Sequence, residues 1–253
     1  MKLNPFSKRK GHRSNLKPIH LIDFNDSSDS YAEAFRMMRL QMEAVLGNGF
    51  PETSRSILIT STLQGEGKTT TAVNLARASA VAGIRTILVD ADNRHPMVNK
   101  VFHIDQKPGL TDLVIEGKVD STFIKPSDIE NLDLIPAGKK QELTAELFGS
   151  DRFLKLLNFL KTTYQLVIID STPFGMFADS GAIARNVDAT FVVFHVGRTD
   201  PRNAEKTVKA LKALSGNVKG VIMSRVSSKH RSGYYYGYHD YYAYYGKTDG
   251  KEK

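Results

Sequence analysis

The segment Ser61-Thr-Leu-Gln-Gly-Glu-Gly-Lys-Thr-Thr70 constrains this chain more than any other. It follows a short apolar run, Ser56–Thr60 (SILIT), that reads as a buried strand. It precedes an amphipathic stretch from about Lys68 to Ala82 that reads as a helix closed by Gly83. Strand, glycine loop and helix in that order make a phosphate cradle. Gly65 and Gly67 let backbone N–H groups turn inward, Lys68 can reach β- and γ-phosphates, and the Thr69 hydroxyl can ligate Mg²⁺ at a helix N-terminus whose dipole favours anions. Gln64, Gly65, Glu66, Gly67, Lys68, Thr69 and Thr70 are therefore the expected nucleotide-binding residues. One position departs from the general G-x-x-x-x-G-K-[ST] pattern: Thr62 stands where its first glycine would be.

Arg85–Asp90, Leu132–Ala137, Leu166–Asp170, Thr190–Val196 and Val218–Met223 are further strand candidates, with helical patterns near 144–163, 177–186 and 201–214. Continuous apolar strands separated by helices predict a doubly wound α/β domain with a mainly parallel sheet covered on both faces. Two of the strands end in acid. Asp170 follows four apolar residues, the form of a strand whose carboxylate holds Mg²⁺ directly or through water. Asp90 and Asp92 put a second pair of carboxylates at another strand's C-terminal edge, where ligands bind in open α/β sheets. A lone Asp ending a strand is more often a cap, but a phosphate loop at the same edge favours a functional role.

Composition divides the chain into a basic arm (1–28), an α/β body (29–226) and a tail (227–253) rich in Tyr, Gly and Ser. A length of 253 residues fits one large domain. The net charge of +8 is concentrated in the arm: Lys2, Lys8, Arg9, Lys10, Arg13 and Lys17 precede the first acid, Asp23. The remainder is close to neutral, so binding of nucleic acid by the body is not expected. No apolar run approaches the ~20 residues of a membrane span, and the arm lacks the apolar stretch of a signal peptide. Without cysteine there is no disulfide, thiol nucleophile or thiolate metal site, which fits a cytoplasmic protein. His95, His103 and His195 lack metal-ligand spacing and read as structural.

Gly65–Thr70, ILVDADNRHP (Ile87–Pro96) and LVIIDSTP (Leu166–Pro173) resemble the Walker A, Walker A′ and Walker B motifs of bacterial tyrosine kinases, specifically the cytoplasmic type encoded with capsule and exopolysaccharide biosynthesis in Gram-positive bacteria. PGLTDL (Pro108–Leu113), LIPAG (Leu134–Gly138) and VGRTD (Val196–Asp200) are similar to connecting segments of that family. The chain departs from it at Gln64, at Gln141–Thr144 and at Ser224, where related ATPases often carry Asn near the base. The resemblance implies a P-loop fold of the partition- and division-ATPase branch, with ATP and Mg²⁺ as ligands. It implies transfer of the γ-phosphoryl group to tyrosine, with Lys68, Asp90 and Asp92 catalytic and Thr69, Asp90 and Asp170 holding the metal. Asp90 is the first choice for orienting or deprotonating the phenol.

Tyr234, Tyr235, Tyr236, Tyr238, Tyr241, Tyr242, Tyr244 and Tyr245 are eight of the ten tyrosines, packed into twelve residues. By composition alone they could be a sticky low-complexity segment; the resemblance makes them the autophosphorylation cluster. Glu33-x-x-Arg36-x-x-Arg39, on a helix beginning near Ser30, resembles the family's subunit-interface motif, while Ser30-x-x-Glu33 also reads as a capping box. The resemblance thus implies a homo-oligomeric ring with phosphorylation in trans. It also implies a membrane adaptor of the polysaccharide co-polymerase type with a cytoplasmic activating segment, recruitment to the inner face of the membrane, and an opposing phosphotyrosine phosphatase. The rival expectation is an ATP-dependent assembly switch of the partition or division-site kind without tyrosine chemistry. Those switches resemble one another in an early P-loop Lys, and Leu63 stands there instead.

Overall fold

The computed structural model describes residues 19, 21–24, 26, 29–47, 54–117, 121–214 and 216–226. Most of the basic arm, and the tail with its eight clustered tyrosines, lie outside the described residues. The elements run α1 (Ser30–Leu46), β1 (Arg55–Ser61), α2 (Lys68–Val81), β2 (Thr86–Asp90), α3 (Val98–Val101), α4 (Leu110–Glu116), β3 (Lys125–Pro126), β4 (Leu132–Ile135), α5 (Thr144–Phe148), α6 (Asp151–Thr163), β5 (Leu166–Asp170), α7 (Asp179–Ala184), β6 (Ala189–His195), α8 (Pro201–Ala213) and β7 (Val218–Ser224).

The seven strands form one sheet in the order β3-β4-β2-β5-β1-β6-β7, parallel except for the two-residue edge strand β3. Alternation along each strand divides its side chains between two apolar layers. Ile57 and Ile59 of β1 pack with α2, whereas Leu58 between them packs with helices α4, α6 and α7 on the other face. β5 divides likewise, Ile168 going to the first layer and Val167 and Ile169 to the second. Both faces of the central strands are thus covered, which is why β2 and β5 are buried at every position. The expected doubly wound, mainly parallel fold is the observed one.

Local chemistry sets several boundaries differently from the sequence expectation. Asp29, not Ser30, caps α1, its carboxylate accepting from the Tyr31 N–H, so Ser30-x-x-Glu33 is not a capping box. The helical pattern over 144–163 is two helices, because Gly149 ends α5 and the Ser150 hydroxyl caps α6 by accepting from the Phe153 N–H. The strand expected to reach Ala137 stops at Ile135, where Pro136 and left-handed Gly138 (φ 84°) turn the chain. Gly83 (φ 82°) does close α2, donating its N–H to the Ala80 carbonyl at 2.9 Å. Among the described residues, no helix is long and apolar enough to cross a membrane.

Candidate nucleotide-binding and phosphoryl-transfer site

The loop between β1 and α2 has the conformation that its glycines allow. Gly65 (φ 79°) and Gly67 (φ 102°) are both left-handed, and Gly67 is the N-cap of α2. No side chain caps that terminus, so the first-turn amides of a 14-residue helix remain available to an anion. Lys68 opens the helix and is buried, as is Asp170 at the end of the neighbouring strand β5.

Asp170 stands apart among the described acids by its lack of hydrogen-bond partners. It is fully buried, yet neither carboxylate oxygen completes a hydrogen bond. Burial pushes its carboxyl up to about 7, against the downward pull of the Lys68 charge and the nearby Thr69 hydroxyl. Buried polar atoms in folded proteins are nearly always partnered. An orphaned carboxylate beside a buried Lys, a Thr hydroxyl and uncapped helix amides fits a cation bound together with a phosphate. Among the described residues, no cluster of three or more His, Asp or Glu stands ready to hold a metal on its own.

Asp90 and Asp92 reach the same edge in a different state. Asp90 Oδ2 accepts from the N–H groups of Met97 and Val98, both at 3.0 Å, and Oδ1 accepts from the Asp92 N–H at 3.1 Å. Its carboxyl lies well above the ordinary carboxylate range, because it is buried and faces the Asp170 charge, which outweighs the Val98 N–H bond. The Asp90 side chain thus folds the 91–98 loop around itself. Asp92 accepts from the His95 N–H at 2.9 Å through Oδ1. Next to them, Asn93 accepts from the Gln141 N–H (2.7 Å) and donates to the Lys139 carbonyl (3.2 Å), bringing the loop after β4 over the site.

Some residues that the sequence reading placed in the site have other work. The carboxylate of Glu66 is fully buried and turned into the protein, accepting from the Leu63 N–H at 2.8 Å and from the Thr199 hydroxyl. Its own carbonyl accepts from the Ser224 hydroxyl at 2.6 Å. The loop is thereby tied to the β6–α8 connection and to the end of β7, and the Arg198 guanidinium lies against Gly65. Ser224 is at the loop, as its position relative to the base-contacting Asn of related ATPases suggests, but it serves the protein backbone here. Gln64 and Gly65 are exposed on the rim, with Thr69 and Thr70 half-buried below.

The sequence reading missed the support behind the acids. Arg94 pairs with buried Asp179 (3.1 Å) and covers the Phe177 ring at 4.3 Å, while the Thr144 hydroxyl donates to the same carboxylate at 2.7 Å. Nothing local in the sequence marks Asp179 as a partner of residues 85 and 35 positions away. The proposed interface residues stand apart from the site, on α1. Glu33 pairs with Arg36 (3.2 Å), Arg36 also donates to the Phe24 carbonyl (2.8 Å), and Arg39 pairs with Glu43. The tyrosine cluster lies outside the described residues.

Comparison with known proteins agrees with this geometry. The AAA-domain family profile matches residues 54–192, from the start of β1 into β6. The tyrosine-protein kinase YwqD of Bacillus subtilis (strain 168) is 30% identical over 92% of this chain and 97% of its own. The chain belongs to the bacterial tyrosine-kinase family. A second member, the tyrosine-protein kinase CpsD of Streptococcus pneumoniae, is 32% identical over 76% of this chain and 83% of its own. Among solved structures, the chimerical protein CapA2B2 superposes with a TM-score of 0.73 at 28% identity, covering 80% of this chain and 88% of that one.

Proposed function

We propose that this member of the family is an ATP-dependent protein-tyrosine kinase that phosphorylates its own C-terminal tyrosine cluster. The observation that carries the reading is the unpartnered Asp170 carboxylate beside Lys68 and Thr69, at the mouth of a glycine loop. The names of the relatives supply the acceptor chemistry.

The phosphate-loop amides and Lys68 bind the phosphates and hold charge that develops on the transferred group. Thr69 and Asp170 are the residues that would hold Mg²⁺, which when bound would supply positive charge against the phosphates. A tyrosine oxygen attacks the γ-phosphorus in line, the bond to the bridging oxygen breaks, and ADP leaves with that electron pair. The phenol proton goes to a carboxylate of the Asp90–Asp92 pair. Asp92 is positioned for this by the His95 N–H, and Asp90 by holding the loop that carries Asp92.

The acceptors are Tyr234 to Tyr245 of a neighbouring copy, in a closed ring whose interface includes Glu33, Arg36 and Arg39. A heterologous interface that closes suits transfer in trans. Each phosphotyrosine adds about −1.5 to −2 charges, so a modified tail would be repelled from a site lined by Asp90, Asp92 and Asp170. A membrane adaptor with an activating cytoplasmic segment would bring the protein to the inner face of the membrane, in service of polysaccharide synthesis and export, with a phosphatase resetting the tail.

Intact mass and peptide mapping after Mg-ATP test the reading, for the wild type and Lys68→Ala, each with and without an adaptor segment. Phosphates on residues 234–245 of the wild type, absent in Lys68→Ala, are expected. Saturating nucleotide and adaptor with no added mass would sink the kinase reading and leave an ATP-dependent switch. Normal phosphorylation by Lys68→Ala would remove Lys68 from the mechanism.

A further inference from the structure

β7 is the last strand of the sheet, and among the described residues its strand neighbour is β6 alone. Its outer side therefore presents a row of backbone N–H and C=O groups to which no strand is paired, a template for another segment. After Lys219, the exposed side chains of the strand are apolar: Val221 is 54% exposed and Met223 66%, with Val226 at 43% just beyond. Native edges of this kind are commonly blunted by charge, proline or bulges. This one has a bulge and a charge only at its start, where Lys219 is the extra residue between the pairs Thr190–Val218 and Phe191–Gly220, and the stretch Gly220–Met223 carries no charge and no proline.

The chain itself provides a matching segment. Twenty-seven residues follow Val226 directly. The first seven, SSKHRSG, are turn-forming and can extend at most ~25 Å, long enough to reverse direction beside β7. The next, Tyr-Tyr-Tyr-Gly-Tyr, combine a strand-favouring residue with a period of two, because Tyr234, Tyr236 and Tyr238 fall on one face of an extended segment.

We propose that the unmodified tyrosine segment docks on the open edge of β7 as an added antiparallel strand, its rings covering Val221 and Met223. Backbone hydrogen bonds to the strand edge would supply affinity and the apolar side chains would supply selectivity. Phosphorylation places doubly charged groups against this apolar surface and releases the segment. The edge then parks the acceptor tyrosines on their own subunit until modification begins. Only the release step rests on the kinase reading.

Hydrogen exchange on the full chain without nucleotide tests the docking, compared with a chain ending at Gly233 and with the full-length double variant Val221→Lys/Met223→Lys. Outward-facing amides of Val218–Ser224 should be protected in the full chain and exchange about tenfold faster in both variants, with β1 and β5 amides unchanged. The unchanged amides show that the fold is intact. Equal exchange with and without the tail overturns the proposal. Protection that grows with protein concentration and accompanies a dimer in native mass spectrometry assigns the edge to a second copy and also overturns it. Protection that requires an added adaptor peptide does the same. No ATP is present, so failure here is distinct from failure of the kinase reading.

Discussion

Asp90 and Asp170 lie opposite each other in register at the ends of β2 and β5, and both are fully buried. Two carboxylates in a low-dielectric pocket disfavour each other's ionisation, so this pair is a source of instability in the free protein. The same pair creates an appetite for positive charge, so one arrangement accounts for both.

The Asp170 carboxyl titrates near 7 in the folded protein, above its ordinary value of 3.8. The folded state therefore holds its proton more tightly than the unfolded chain does. This group's contribution is most favourable below about pH 4, declines as pH rises toward 7 and levels off above that. Asp170→Asn should remove much of the decline and stabilise the unliganded protein at pH 8 by about 1–3 kcal/mol. It should also abolish the rise in melting temperature on adding nucleotide with magnesium. Thermal melts from pH 5 to 8, with and without ligand, read both effects.

Glu66 holds the phosphate loop shut from inside. Glu66→Ala leaves the Leu63 N–H and the Thr199 hydroxyl without their acceptor, costing about 2–4 kcal/mol. Nucleotide affinity should fall with stability. Glu66→Gln keeps one acceptor oxygen and should lose less of both. Titration calorimetry alongside denaturant unfolding would separate this support from direct ligand contact, in which stability would be unaffected.

Gly109 admits no side chain. A Cβ there would stand 2.3 Å from the Pro136 carbonyl and 2.4 Å from the Gly138 nitrogen, both backbone atoms. Gly109→Ala should destabilise by about 3 kcal/mol or more. Gly47 has open space around its Cβ position, and there the cost is backbone strain alone, at φ 85° and ψ 106°, so the same change should lose about 1–3 kcal/mol. Urea midpoints of the two variants give the comparison.

At the N-terminal ends of β1 and β6, away from the acids, Asp188 accepts from Lys161 at 2.7 Å and from both the N–H and hydroxyl of Ser56. Burial raises its carboxyl, but the Lys161 and Ser56 bonds outweigh burial and hold it below 3.8. Its stabilisation is present above about pH 4 and lost as pH falls through the lower folded value. Asp188→Asn should cost about 1–3 kcal/mol at pH 7, with the gap to wild type closing as the pH falls below the ordinary carboxylate value.

The strands and the phosphate loop were legible because their signals are local: continuous apolar runs, glycines where φ must be positive, and a Lys-Thr pair opening a helix. Asp90, Asp92 and Asp170 were legible as strand-terminal acids, but not their different circumstances. One is saturated by backbone amides and another has none, and that depends on how the 91–98 loop closes. Glu66 shows the same limit. Its place in the loop suggests ligand contact, while its side chain answers to Thr199, 133 residues away. The break at Gly149–Ser150 was missed because the apolar period runs through it, although the cap that starts α6 is there to be read.

Near the chain's entry into the body, the Ile22 N–H donates to Asn74, whose own amide holds the Thr70 carbonyl. Near its exit, the Ser224 hydroxyl holds the carbonyl of Glu66. Ile22 and Ser224 are therefore both held to one stretch, Glu66 to Asn74, which contains the glycine loop and the first turns of α2. A ligand that stiffens the loop also stiffens each of these contacts, and each contact in turn favours the ligand by the free energy with which the ligand favours it. An occupied loop would therefore hold Ile22 and Ser224 more firmly than an empty one.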